Sequence, residues 1–290
     1  MIKKKQQGIL LIISAAFFFA LMNLFVKLAG DLPVFEKCFF RNFVAVWIAL
    51  AMVIRQKDKL KVGKGNWKYL WTRAIAGTLG ILCNFYAIDH MNIADASMLN
   101  KLSPFFAIIF SIYVLKEKPN KVEWLCVIGA FIGALFVIKP SFQLSSLPAF
   151  SGFIGGMGAG MAYTCVRKLG KNGVKGSIIV LFFSFFSCVS VIPVMIFTYV
   201  PMHWWQLLSL IMAGISAAGG QFSITAAYTR APAKEISVFD YTQVIFAALL
   251  SLIVMGTLPD HWSFIGYGII IGIAIWKWYY NLKQDQSDEK

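Results

Sequence analysis

The feature that most constrains this chain is a recurring run of about 17–25 apolar residues, the length a helix needs to cross ~30 Å of hydrocarbon. Such runs follow one another along the whole sequence, separated by short charged or Pro- and Gly-containing breaks. They predict helices over 8–29, 34–54, 68–88, 95–115, 122–138, 149–166, 177–199, 205–227, 236–256 and 262–280. In lipid every backbone N–H and C=O needs a partner within the protein, and a helix supplies those partners by itself. The expected fold is an all-α integral membrane bundle of ten transmembrane helices, with short loops and no extramembrane domain. Composition agrees: 59% of residues are hydrophobic and 14% charged, against roughly 45–50% and about 25% in soluble domains. The apolar run after the opening MIKKKQQ extends from Gly8 to about Ala29. That exceeds the ~7–15 residues of a signal-peptide core, so it reads as a first helix and not a cleaved leader.

The net charge of +14 would suit nucleic acid, but its placement argues against that partner. With the N-terminus cytoplasmic, the basic residues fall almost entirely on one side, in the loops before the first helix and after the even-numbered ones. Of the 27 Lys and Arg, only Lys37 and Lys139 lie outside, and Lys27, Arg41 and Lys101 lie within or near spans. This asymmetry predicts both termini in the cytoplasm; an inner or plasma membrane location is a separate expectation. Trp67, Trp71, Trp124, Trp204, Trp205, Trp262, Trp276 and Trp278 sit near the expected interfaces, as amphipathic rings do.

A shift of 140 residues superimposes the second half on the first. Asp95, Ser97 and Asn100 fall on Glu235, Ser237 and Asp240. Phe106, Ala107, Ser111 and Pro119 fall on Phe246, Ala247, Ser251 and Pro259. At nearly the same offset Gly129/Gly133 meet Gly268/Gly272, and Lys27–Leu28 meet Lys168–Leu169. These matches predict two five-helix units, residues 1–140 and 141–282, followed by a polar cytoplasmic tail at 283–290. Five being odd, the second unit starts from the opposite side, which makes the repeat inverted. That symmetry recurs in secondary transporters, where it exposes one site alternately to each side. Plain duplication without a transport role is the alternative.

The stretch ASMLNKLSPFFAIIFSIYVLKEKPNKVEWLCVIGAFIGALFVI resembles the end of the five-helix repeat of the EamA family, in the drug/metabolite transporter (DMT) superfamily. The resemblance rests on Ala96–Ser97, Ser103–Pro104, Lys116–Glu117 and Gly129/Gly133. FFRNFVA in the second helix follows the same pattern. In the second copy Val244 stands in place of the proline and Thr257 in place of the glutamate. The resemblance covers essentially the whole chain and implies a ten-helix basket with a central cavity, alternating access and small-metabolite cargo. It leaves the substrate open, since family members carry amino acids, nucleotide-linked compounds, vitamins and drugs.

Ionisable side chains within spans cost ~2.5–3.5 kcal/mol or more on insertion, so those present face a cavity or a partner. Here they are Lys27, Arg41, Lys101 and Asp240. The three cations lie near the outer ends of their helices, an electropositive vestibule for a carboxylate or phosphate. The alternative is snorkelling to headgroups. Asp240 is placed toward the inner gate, as proton acceptor or counter-ion, or else paired to a basic loop. Its repeat mate Asn100 is placed at the outer gate. Among neutral candidates, Asn23, Asn84, Tyr163 and Gln221 fall near mid-span, with Tyr86, Tyr241 and Gln243 beside them. These eleven residues, Tyr86 excepted, form the expected substrate site; interhelical glue is the alternative for the amides and phenols.

The five cysteines all fall in spans without metal or CxxC spacing and read as packing residues. His90, His203 and His261 lie in outside turns, without acidic or Cys companions at ligand spacing, so no metal or other cofactor is expected. Gly152, Gly156 and Gly160, with the two GxxxG pairs, suit helix contacts or a homodimer face. No phosphate-binding GxxxxGK[ST] occurs, which argues against ATP hydrolysis. The expected function is secondary transport of a small polar metabolite, carboxylate-bearing or amino-acid-like, coupled to protons, to exchange or to the substrate's own gradient. A substrate-free assembly subunit and a membrane-embedded enzyme are the alternatives, the latter without a catalytic constellation to support it.

Overall fold

The computed structural model describes residues 2–55, 62–90, 93–139, 146–256 and 260–288. Thr257, Pro259, three basic residues of the second connection (Lys57, Lys59 and Lys61) and Lys290 lie outside the described residues. Within them the chain is helical without strands: α1 (Ile2–Leu28), α2 (Val34–Arg55), α3 (Trp67–His90), α4 (Ile93–Asn100), α5 (Ser103–Leu115) and α6 (Lys121–Ile138). The second half adds α7 (Ser146–Lys171), α8 (Gly176–Thr198), α9 (Trp204–Arg230), α10 (Ala233–Ile236), a 3-10 turn (Ser237–Tyr241), α11 (Thr242–Met255) and α12 (His261–Asp288).

Two of the expected helices are interrupted. The first break separates α4 from α5 at Lys101–Leu102, and its cause is local. Pro104 lacks an N–H and its ring crowds the carbonyl four residues back, that of Asn100, which favours an interruption here, whereas α8 continues past Pro193. The second break is the 3-10 turn, which changes pitch between α10 and α11. Counting each interrupted pair as one rod gives ten rods. Seven are long and apolar enough to cross a membrane by length and composition. The other three, α3, α7 and α12, have 24, 26 and 28 residues but carry glycine, aromatic and polar residues that dilute their hydropathy.

Rod ends follow ordinary capping chemistry. Asn120 and Glu123 form a reciprocal capping box at the start of α6, and Lys116, Lys139 and Gly256 close α5, α6 and α11 in left-handed conformations. Between rods, α1 packs along α9 and α3 along α7; α11 lies on α1 and α5 on α7; α2 faces α8 and α6 faces α12. Glycines permit the closest crossings. A Cβ on Gly158 would sit 2.6 Å from the Ala76 carbonyl of α3, and one on Gly133 would sit 3.1 Å from the Gly266 carbonyl of α12. Gly129, Gly152, Gly156 and Gly160 are likewise filled from within the chain, whereas Gly268 and Gly272 face open space. The cysteines are free, Cys83 half-buried and the others buried.

The end of the bundle that carries both termini is tied by ion pairs. Glu117 meets Lys171 at 3.3 Å and Arg167 at 3.6 Å, Glu123 meets Lys277 at 3.6 Å and Lys234 at 3.7 Å, and Glu235 meets Lys5 at 3.5 Å. At the far end Lys139 pairs with Asp260, which also caps α12 through the Ser263 N–H at 3.0 Å. Burial corrects one item of the charge census. Arg73, counted above among the loop cations, is 2% exposed and points into the bundle.

Candidate functional site

Between α1, α2, α3, α7 and α9 the rods leave a cavity of ≈ 120 Å³ at the level of the two helix breaks. The breaks supply its charged floor. Unwinding at Lys101 turns its side chain across the bundle, where Nζ donates to Asp240 Oδ2 at 3.1 Å and Gln243 Oε1 at 2.6 Å, with the Asp240 carbonyl at 3.4 Å. The Tyr241 hydroxyl donates to the Lys101 carbonyl at 3.0 Å, a backbone acceptor near the break. Four residues from the two halves are thus one hydrogen-bonded unit. Lys101 and Asp240 are 6% and 5% exposed, so neither is a surface group.

This contact corrects the expectation that Asp240 and the Asn100–Lys101 pair stand at opposite gates. Each was measured from its own helix end, which places a residue in depth only if the helix is continuous. Both helices are broken, and Lys101 at one break meets Asp240 at the other.

Arg41 projects from α2, 5% exposed, with Nε donating to the Met22 sulfur at 3.1 Å and Nη1 buried without a partner. Its backbone is held by the neighbouring Asn42, whose amide donates to Ser187 Oγ at 3.3 Å; Thr78 donates to the same hydroxyl at 3.0 Å. That network ties α2, α3 and α8 beneath the guanidinium. Arg73 reaches the cavity from α3. Its Nη2 donates to Gln221 Oε1 at 2.9 Å, its guanidinium lies 3.9 Å from the centre of the Phe183 ring, and its Nε is buried without a partner. A Cβ on Gly77 would overlap both that guanidinium and the Phe183 ring, so Gly77 is the slot in which Arg73 lies.

Asn23, Asn84, Asn100, Tyr163, Gln221 and Gln243 also line the cavity. Asn84 Oδ1 is buried without a partner. Tyr163 stacks on Tyr228 at 5.0 Å and 14°, and the Tyr228 hydroxyl contacts Ser237 at 3.2 Å. Two expected residues are elsewhere: Lys27 is exposed at the end of α1, and Tyr241 is buried behind Lys101. Tyr86 stacks on His90 near the far end of α3. The sequence reading missed Arg73, Phe183 and Gly77. For Arg73 a signal existed, since it lies about 9 Å along the helix from Trp67 at 1.5 Å per residue, too deep for an interfacial charge.

Among the lining residues three cations face one carboxylate, an excess of two positive charges. No group of three or more His, Cys, Asp or Glu able to hold a metal occurs among the described residues. What the arrangement offers is hydrogen-bond donation and positive charge in a desolvated space.

Comparison with known proteins bears on that chemistry. The model of the EamA-like transporter family matches residues 6–139. The pseudopaline exporter CntI of Pseudomonas aeruginosa (strain UCBPP-PA14) is 32% identical over 275 residues, covering 93% of this chain and 94% of that one. Human solute carrier family 35 member G1 is 27% identical over 296 residues, covering 95% and 81%. A protein crystal structure with 15% identity superimposes with a TM-score of 0.81 over 93% of this chain and 95% of that chain, a likeness of fold alone.

Proposed function

The chain belongs to the EamA-like family of DMT transporters, and from that premise we propose that it is a secondary carrier for a small, carboxylate-bearing or amino-acid-like metabolite. The observation that carries the reading is the buried cavity in which Arg41 and the Lys101–Asp240 pair converge. Charges so nearly enclosed are costly unless matched, and a transported anion matches Arg41. Asn23, Asn84, Asn100, Tyr163, Gln221 and Gln243 surround it, Tyr241 fixes the Lys101 backbone, and Asp240 serves as counter-ion to a substrate amine or as the coupling proton's acceptor. Lys27, outside the lining, stands as an entry charge.

Alternating access through an inverted repeat is part of the same proposal. Its support is the reciprocity of the packing: α1 on α9 corresponds to α7 on α3, α11 on α1 corresponds to α5 on α7, and α2–α8 and α6–α12 pair equivalent helices. With both termini cytoplasmic, as the charge asymmetry argues, the ion pairs at that end form a closed inner gate. Asn23, exposed and lining the cavity near the far end of α1, then marks the open path. If a second copy docks, the free Gly268/Gly272 face of α12 is the place for it.

Purified protein in proteoliposomes tests the carrier reading. Arg41→Ala and Lys101→Ala are expected to abolish substrate flux while the protein stays folded in the membrane. Flux kinetics unchanged in both would sink it.

A further inference from the structure

The cavity's cations are not equivalent, and the difference bears on the cargo. Lys101 is saturated: its three donors meet Asp240 Oδ2, Gln243 Oε1 and the Asp240 carbonyl. Lys101 and Asp240 also cancel in charge. Arg41 and Arg73 have no carboxylate partner among the described residues, and each keeps a buried, unpartnered guanidinium nitrogen. What they do contact is weak or neutral: a thioether for Arg41, an amide oxygen and a ring face for Arg73. A guanidinium cannot shed its proton to escape burial. No carboxylate among the described residues matches these charges, so an anion entering the cavity is the partner they call for.

Resting on the carrier reading above, we propose that the cargo carries at least two acidic groups, one held by Arg41 and one by Arg73, and an N–H or O–H donor facing Asn84. Two groups are called for by charge: each guanidinium is held by contacts of its own, and together they leave the cavity with an excess of two positive charges. Arg41 is tied to Met22 of α1, and Arg73 is set in the Gly77 slot between Phe183 and Gln221. The donor is required because Asn84 Oδ1, buried and unpartnered, is an acceptor with nothing to accept. A di-acid bearing a hydroxyl meets all three demands and neutralises the excess of two positive charges; one bearing a protonated amine meets the contacts but neutralises only one of the two. Arg73 is thereby the specificity-determining residue that separates di-acids from mono-acids.

The test uses the full-length protein in nanodiscs, melted with butyrate, succinate and tricarballylate at constant ionic strength and constant chloride. These probes differ in carboxylate number. The shift in midpoint is expected to rise sharply from butyrate to succinate, and malate is expected to exceed succinate. In Arg73→Gln the affinity for succinate should fall about tenfold or more, toward that for butyrate, as losing a charged hydrogen bond implies. Arg73→Lys should restore part of the preference. Equal shifts for butyrate and succinate, or a preference kept in Arg73→Gln, overturn the inference and leave the carrier reading standing. If none of the probes shifts the midpoint, the melts are repeated with a soluble metabolite extract. A shift there that Arg41→Gln abolishes keeps the carrier reading, and mass spectrometry of the retained compound counts its acidic groups, fewer than two overturning the inference. No shift from the extract overturns both.

Discussion

At the scale of single residues the site is a matter of which charges have partners. Arg73 shows how much one missing atom can do, because its guanidinium occupies the space where residue 77 would otherwise carry a Cβ. Gly77→Ala should push the guanidinium off the Phe183 ring and weaken binding about tenfold, the factor that 1.4 kcal/mol represents. Titration of a bound ligand against the variant checks this, with size-exclusion behaviour confirming the fold. At the far surface Asp260 gives a prediction in pH. Its hydrogen bond from Lys139, reinforced by the Ser263 N–H, lowers its pKa from 3.8 to about 2. A depressed carboxylate stabilises the native state above its unfolded pKa, and that contribution is lost as pH falls through the folded value. The α6–α12 junction should therefore loosen between about pH 4 and pH 2. Melting curves across that window should show the step in the native chain and lack it in Asp260→Asn.

At the scale of elements the breaks are what make a site out of a bundle. Pro104 costs a helix about 3 kcal/mol, and here that cost turns Lys101 across the cavity toward Asp240. In Pro104→Ala the Asn100 carbonyl regains an N–H four residues on. Amide exchange around Leu102 to Phe105 should slow, the melting midpoint should rise, and flux should fall as Lys101 is drawn back into register. A variant with faster exchange and unaltered flux would refute this account of the break. The α3–α7 crossing depends instead on absent side chains. Gly158→Val inserts its branch where a Cβ alone would lie 2.6 Å from the Ala76 carbonyl. Overpacking of this kind costs about 1–3 kcal/mol, to be read as a lower unfolding temperature.

At the scale of the whole molecule, stability draws on the ion pairs at the terminal end. Glu123 and Lys277 are 1% and 0% exposed, and removing one partner of such a pair leaves a buried charge at a cost of about 3–5 kcal/mol. Glu123→Gln should lower the melting midpoint, and adding Lys277→Met should recover most of the loss, a comparison that separates charge burial from packing. Much of this architecture was legible beforehand. Ten helical rods, their approximate places and the family resemblance follow from the sequence, because the span of a helix through hydrocarbon is set by length and composition, which are local; the structure carries α1 back to Ile2 and α12 on to Asp288, beyond the apolar runs. Pro104 was visible as part of the Ser103–Pro104 pair, but the apolar run over 95–115 reads as one unbroken helix, so the break itself was not legible. Depth inferred along an unbroken helix put Lys101 and Asp240 at opposite gates, and loop proximity put Arg73 outside the site. Only the tertiary structure decided that Lys101 meets Asp240 across 139 positions and that Arg73 lies in the slot at Gly77. Which charges are matched is a property of pairs distant in the chain, and no local pattern encodes the distance between them.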